Sequence, residues 1–177
     1  MKESITIAVY RENKAGLLHR VTTAFTRRKI NIESLTVSES EVPGIHRYTI
    51  VVELTPENAD KVVFALEKQI DIQKAFWYRD SELVYREVAL YKMKAELLTD
   101  GSPVLDIVDK HHGRILSVEA EFGVIQKTGR REATQALFDE LKPHGILEFV
   151  RSGRIAISRR MKELREYLAD LHVASTH

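Results

Sequence analysis

The sequence predicts an α+β protein built from two tandem β-α-β-β-α-β domains and a C-terminal helix. Three observations lead there. Apolar residues alternate with a period of two in some stretches and recur at helical spacing in others, in the order strand, helix, strand, strand, helix, strand. The same order returns about 83 residues later, matching Ile32 with Ile115. The 177 residues are 44% hydrophobic and 30% charged, enough for a real core, although a half-chain of about 80 residues buries only somewhat above ~60% of its unfolded surface and leans on partners.

In the first half, "SITIAVY" is apolar and β-branched, which suits a buried strand, and Leu17, Leu18, Val21 and Phe25 then recur at helical spacing. "KINIESLTVS" reads as a second strand. Its apolar parity changes between Ile32 and Leu35, which predicts a bulge near Ser34. After the turn "EVPG", the alternation of Tyr48, Ile50, Val52 and Leu54 makes a third, antiparallel strand. Thr55-Pro56 opens a helix lined by Ala59, Val62, Val63 and Leu66, because proline suits the first helical position. "DIQKAFWY" closes the unit, a ferredoxin-like arrangement with two helices on one face of four strands.

The second half repeats the order: "REVALYKMKAEL", helix "PVLDIVDKHH", strands "GRILSVEAEF" and "GVIQKTG", helix "RREATQALFDELKPHG", and "ILEFVRSGRIAIS" as a strand or hairpin. The boundaries expected are 1–79 and 84–160 for the domains and 161–177 for a helical tail, with a linker near "YRDSELV". In that tail Met161, Leu164, Leu168 and Leu171 form a narrow stripe suited to docking.

Several function classes recede on composition. A net charge of +1 creates no field toward nucleic acid or an anionic membrane. The absence of cysteine rules out disulfides, thiolate nucleophiles and cysteine-ligated metals, and fits a reducing compartment such as the cytoplasm. The opening "MKESITIAVYRENK" is too short and too charge-flanked for a signal peptide or membrane span, so the mature protein is expected to begin there. No phosphate-cradling glycine motif occurs. His111 and His112 are adjacent and diverge on a helix, which suits capping or exposure better than chelation. Arg11 and Asn31 are the residue types with which a small ferredoxin-like acylphosphatase holds phosphate, but the loop "ENKAG" is acidic at Glu12 and argues against that role.

The corner "RENKAGLLHR" invites two readings. Asn13 and Gly16 are ordinary turn residues. They also suit an amino-acid ligand: Gly16 has no side chain over the first N–H groups of the helix, where a carboxylate can sit, and Asn13 has both a donor and an acceptor for a zwitterion. Asn31, in "INIESL", lies between two apolar residues that point the other way, and is either a strand-end turn residue or a second polar contact reaching across to a paired copy.

The stretches "EN-x-x-G-x-L-x-R-V", "F-x-x-R-x-x-NIESLTV" and "R-x-TIV" resemble the amino-terminal ACT domain of the regulatory small subunits of acetohydroxyacid synthase, also called acetolactate synthase. "REVALYKMKA" and "ILEFVRSGRIAIS" are similar to the carboxy-terminal domain of the same subunits, so the likeness covers about residues 3 to 160. The resemblance implies a non-catalytic partner that activates a catalytic large subunit and confers feedback inhibition by valine, often with isoleucine or leucine. It implies thiamine diphosphate, FAD and magnesium in the large subunit and no cofactor or metal in this chain. Effector contacts carry over to Asn13, Ala15, Gly16, Leu17 and Leu18 of one copy and to Asn31 and Ile32 of the second copy in a homodimer. Ala15 stands where proline or serine is frequent, and "VEAEFGVIQKTG" departs from the usual wording, so no effector contact is carried into the second half. A stand-alone amino-acid sensor acting on another enzyme or a transcription factor is the alternative.

Overall fold

The computed structural model describes residues 1–12, 17–161 and 166. The chain divides into two compact units, Met1–Val84 with Arg154–His177, and Tyr85–Gly153.

The first unit runs β1 (Glu3–Glu12), α1 (Leu17–Thr26), β2 (Ile32–Glu39), β3 (Ile45–Leu54), α2 (Pro56–Glu67) and β4 (Ile72–Arg79). Its strands form an antiparallel sheet in the order β2-β3-β1-β4. Ile5, Ile7 and Val9 share one face of β1 and meet Val21 and Phe25 of α1 and Val62 and Leu66 of α2 in the core. The predicted bulge is present: the β2–β3 register shifts between Ile32 and Ser34, which returns Leu35 to the core side. Thr55 caps α2 by accepting the Asn58 N–H, with Pro56 at the first helical position.

The opposite face of this sheet is also closed, for Thr6 and Ala8 are fully buried and Thr49 and Val51 nearly so. The returning segment of the same unit bonds to that side. Arg154 Nη1 donates to Thr6 Oγ1 at 2.8 Å and to Asp80 Oδ1 at 2.6 Å, and Arg160 donates to Glu82 at 3.1 Å while stacking 5.6 Å over Tyr78.

The second unit, which takes β5 (Leu83–Lys94) from Tyr85 on, repeats the plan with α3 (Pro103–Lys110), β6 (Arg114–Val118), β7 (Phe122–Gly129), α4 (Arg131–Leu141) and β8 (Ile146–Arg151), in the sheet order β6-β7-β5-β8. Tyr91, Met93, Val104, Ile125, Leu137 and Leu141 fill its core. Its β6–β7 register shifts between Ile115 and Ser117, the counterpart of the Ile32–Ser34 bulge. The expected strand "GRILSVEAEF" ends earlier, at Val118, and the chain turns at Glu119–Glu121. Gly123 lies inside β7 because Leu98 packs onto it: an added Cβ would stand 2.2 Å from Leu98 Cδ1.

The expected strand or hairpin at 146–158 is two strands, β8 and β9 (Ile155–Ser158). The latter pairs with β5, whose Leu83 and Val84 belong to the same unit, and Arg159 N–H donates to the Glu82 carbonyl. The expected second domain reached residue 160, whereas the stretch from Arg154 groups with the first unit. The expected helical tail, with Leu164, Leu168 and Leu171, lies outside the described residues.

Candidate functional site

β1 delivers Arg11 and Glu12 to the strand-to-helix corner, and α1 leaves it at Leu17. Asn13, Ala15 and Gly16 lie outside the described residues. Leu18 stands in the first turn of α1 with 46% of its surface exposed, an apolar side chain facing water. Around the corner, Arg20 Nη1 pairs with Asp71 Oδ2 at 2.5 Å, and Asp71 precedes Ile72, the β4 residue opposite Arg11. That bridge ties the start of α1 to the start of β4, the strand beside β1.

The first turn of α1 contains no acid, whereas α2 has Glu57, α3 Asp106 and α4 Glu132 near their starts. A helix start carries partial positive charge, and here no side chain of its own first turn offsets it.

Asn31 stands immediately before β2, the outer strand of the sheet, and is exposed, donating from Nδ2 to Glu33 Oε1 at 2.8 Å. Ile30 and Ile32 turn the other way and pack on the core. Much of the Ile32 side chain is therefore used by the fold. The register separates Asn31 from the corner: Ile32 aligns with Val52 and hence Ile5, whereas Arg11 aligns with His46 at the far end of β3. Six residues of strand place the two ends about 20 Å apart within one chain. This spacing removes the phosphate-holding pair of Arg11 and Asn31.

Arg11 was not among the expected effector contacts. Its side chain lies on the same face as Ile5, Ile7 and Val9, with 1% of the residue exposed, and its Cζ sits 5.5 Å from the Tyr48 ring centroid. Among the described residues its buried Nε and Nη2 have no hydrogen-bond partner. Counting by twos from Ile5 through Ile7 and Val9 places Arg11 on the core face, and a charged residue at such a position was the signal the sequence reading missed.

The equivalent corner of the second unit closes on itself. After Lys94 the chain turns through Ala95–Leu98, and Ser102 then accepts the Val104 N–H at 3.2 Å and donates to the Leu97 carbonyl at 2.6 Å, with Pro103 following. A side chain of the protein holds the place a carboxylate would take.

Among the described residues no three His, Cys, Asp or Glu side chains gather as a metal would require. His111 ends α3, with Nε2 2.9 Å from Glu140 Oε1, and Lys110 reaches the same carboxylate. Hydrogen bonds from Lys110 and then His111 hold Glu140 below the usual carboxylate range. The second core contains one further polar group: Tyr91 donates to the Thr134 carbonyl at 2.6 Å, Thr134 Oγ1 donates to Glu87, and Arg151 Nε lies 2.9 Å from Glu87 at an angle outside hydrogen-bond geometry.

Two units with the ferredoxin-like strand order in tandem have the architecture of ACT domains. The family model described as the AHAS small subunit-like ACT domain matches residues 7–74, and that described as the small subunit of acetolactate synthase matches residues 86–160. The acetolactate synthase small subunit of Bacillus subtilis is 36% identical over 160 residues, covering 90% of this chain and 91% of that one. Its counterpart in Mycolicibacterium smegmatis is 34% identical over 154 residues, covering 87% and 90%. The crystal structure of the acetolactate synthase small subunit from Thermotoga maritima superposes with a TM-score of 0.80 at 27% identity, over 90% of this chain and 99% of that one. This chain belongs to the family of acetolactate synthase small subunits.

Proposed function

We propose that this chain is a non-catalytic regulatory subunit that binds and activates a thiamine-diphosphate-dependent catalytic large subunit. In this reading it confers feedback inhibition by branched-chain amino acids, valine first, in valine, leucine and isoleucine biosynthesis in the cytoplasm. Thiamine diphosphate, magnesium and FAD belong to the large subunit.

The observation that supports an effector site between two copies is the strand register. Asn13 follows the end of β1, and Asn31 stands at the other end of the same sheet. A second copy related by a two-fold axis, with β2 antiparallel to β2, brings its own Asn31 to the end that holds the first copy's corner. The ligand's carboxylate then meets the amides at Ala15, Gly16, Leu17 and Leu18, and its ammonium meets the carboxamides. Leu18 and the Ile32 side of the second copy wall the aliphatic group.

An effector acting between about 1 μM and sub-millimolar concentration requires about −8 to −5 kcal/mol, within reach of a carboxylate, an ammonium and one buried aliphatic group. Inhibition further requires that the effector bind unequally to the activating and inhibiting arrangements of the complex. The test is co-purification with the catalytic large subunit, followed by synthase assays with and without each branched-chain amino acid. Association, a higher basal rate and valine-dependent inhibition are expected. Valine binding without any effect on a co-expressed synthase overturns the reading in favour of a stand-alone sensor.

A further inference from the structure

We infer that β4 is a second strand-pairing edge which Glu67 and Glu82 hold shut, so that copies of this chain pair through β2 alone. The last clause rests on the two-copy reading above and adds to it the residues that exclude the other edge.

The first sheet has two outer strands, β2 and β4. An outer strand offers its outward N–H and C=O groups to any other strand, unless the protein's own groups occupy them. On β4 the alternate residues Ala75, Trp77 and Arg79 direct their N–H groups away from β1. The first and last of these are taken: the Ala75 N–H donates to Glu67 Oε1 at 3.3 Å, and the Arg79 N–H donates to Glu82 Oε2 at 3.0 Å. Each carboxylate is itself anchored, Glu67 by Lys74 at 2.7 Å and Glu82 by Arg160 at 3.1 Å. The Arg79 N–H, ahead of Arg160, holds the Glu82 carboxyl below the usual carboxylate range, so the acceptor is charged at neutral pH.

An incoming strand would therefore meet two anions where it must place carbonyl oxygens. A groove of about 470 Å³ lies along β4 with Trp77 and both carboxylates in its wall, so charge rather than bulk bars the edge. A bulge adds to the closure: Lys74 aligns with Tyr10 and Ile72 with Arg11, which leaves Gln73 as an extra residue in β4.

The other edge has no such guard. Among the described residues no side chain accepts a backbone N–H of β2, and the nearest bonds of that kind serve Val42 and Gly44 in the turn after it. The difference matters for assembly. Pairing of β2 with β2 about a two-fold axis closes at two copies, whereas two open edges on each copy permit a chain without end.

The experiment is analytical ultracentrifugation of the full-length protein over a range of concentrations. The unaltered chain is compared with the double variants Glu67→Ala/Glu82→Ala and Glu67→Gln/Glu82→Gln, the second of which keeps a carbonyl acceptor for each N–H. The unaltered chain and the Gln pair are expected to stay dimeric, and the Ala pair to grow beyond a dimer as concentration rises. Val37→Lys, which places a charge on β2, is expected to give a monomer by itself and a dimer again when the Ala pair is added. In that dimer hydrogen exchange of the Trp77 amide is expected to slow.

Glu82 also closes the turn Asp80–Glu82, and a role confined to that turn predicts lost stability without association. A folded Ala pair that stays dimeric at every concentration therefore overturns the inference, and so does growth that leaves Trp77 exchange unchanged. If the Ala pair does not fold, Glu67→Ala and Glu82→Ala are measured singly: growth in either upholds the guard, and unchanged mass in both overturns it. A Val37→Lys protein that remains dimeric removes pairing through β2 and with it the last clause, while growth of the Ala pair with slowed Trp77 exchange still upholds the guard on β4.

Discussion

Asn31 is exposed and Asn13 belongs to the proposed effector corner, so removing either carboxamide is expected to alter binding more than folding. A lost buried polar partner costs about 1 to 3 kcal/mol, and Asn13→Ala or Asn31→Ala is expected to weaken valine tenfold or more with the melting temperature within a few degrees of the parent. Calorimetry with matched unfolding scans checks this, and unchanged affinity removes the residue from the site. Tyr91 provides the opposite case, a polar group that serves the fold. Burial is the main cause that pushes its hydroxyl up to about 12 from 10.0. A raised pKa on a group that is neutral when protonated gives stability fully present below the unfolded value and lost as pH rises through the folded one. Stability is therefore expected to fall between pH 10.0 and about 12, and Tyr91→Phe to flatten that fall while costing about 0.5 to 1.5 kcal/mol at neutral pH. Urea unfolding at stepped alkaline pH measures both; an unchanged slope in Tyr91→Phe assigns the alkaline loss to other groups.

At the level of elements, the two units share a plan and differ at their first corners. The α3 start is satisfied from within by Ser102, whose hydroxyl both caps the helix and holds the Leu97 carbonyl. Ser102→Ala is expected to lower stability by about 1 to 2 kcal/mol and to leave valine affinity unchanged, since no effector contact is placed there. Denaturant unfolding alongside titration reads both; a change in affinity would place a ligand contact in the second unit. Much of this level was legible in the sequence. The bulge at Ile32–Ser34 followed from a change of parity, and the α2 start from Thr55-Pro56. The end of β6 was set too late, with "GRILSVEAEF" read as strand throughout, whereas the chain turns at Glu119–Glu121 and Gly123 pairs inside β7, where Leu98, distant in sequence, packs onto it.

For the whole molecule the proposed effector site needs two copies, which ties binding to oligomeric state. The edge strand β2 presents Val37 with 41% of its surface exposed. Lysine at this position puts a charge on the pairing edge of both copies, and edge charges block strand addition. Val37→Lys is expected to shift the protein from dimer to monomer in analytical ultracentrifugation and to weaken valine by a similar factor. A dimer that persists with full affinity would place the pairing on another surface.

The sequence by itself determined the elements, their repetition, the two cores and the family, because these rest on local spacing: period two, period 3.6, caps and turn residues read along the chain. Tertiary structure decided what depends on register and burial. It put Asn31 at the far end of the sheet from the corner, grouped Arg154–Ser158 with the first unit through the Arg154 bonds to Thr6 and Asp80, and enclosed Arg11 with two donors unmatched among the described residues. Each of these is a relation between residues far apart in the chain, set by hydrogen-bonded alignment and exclusion of water, which local spacing does not encode.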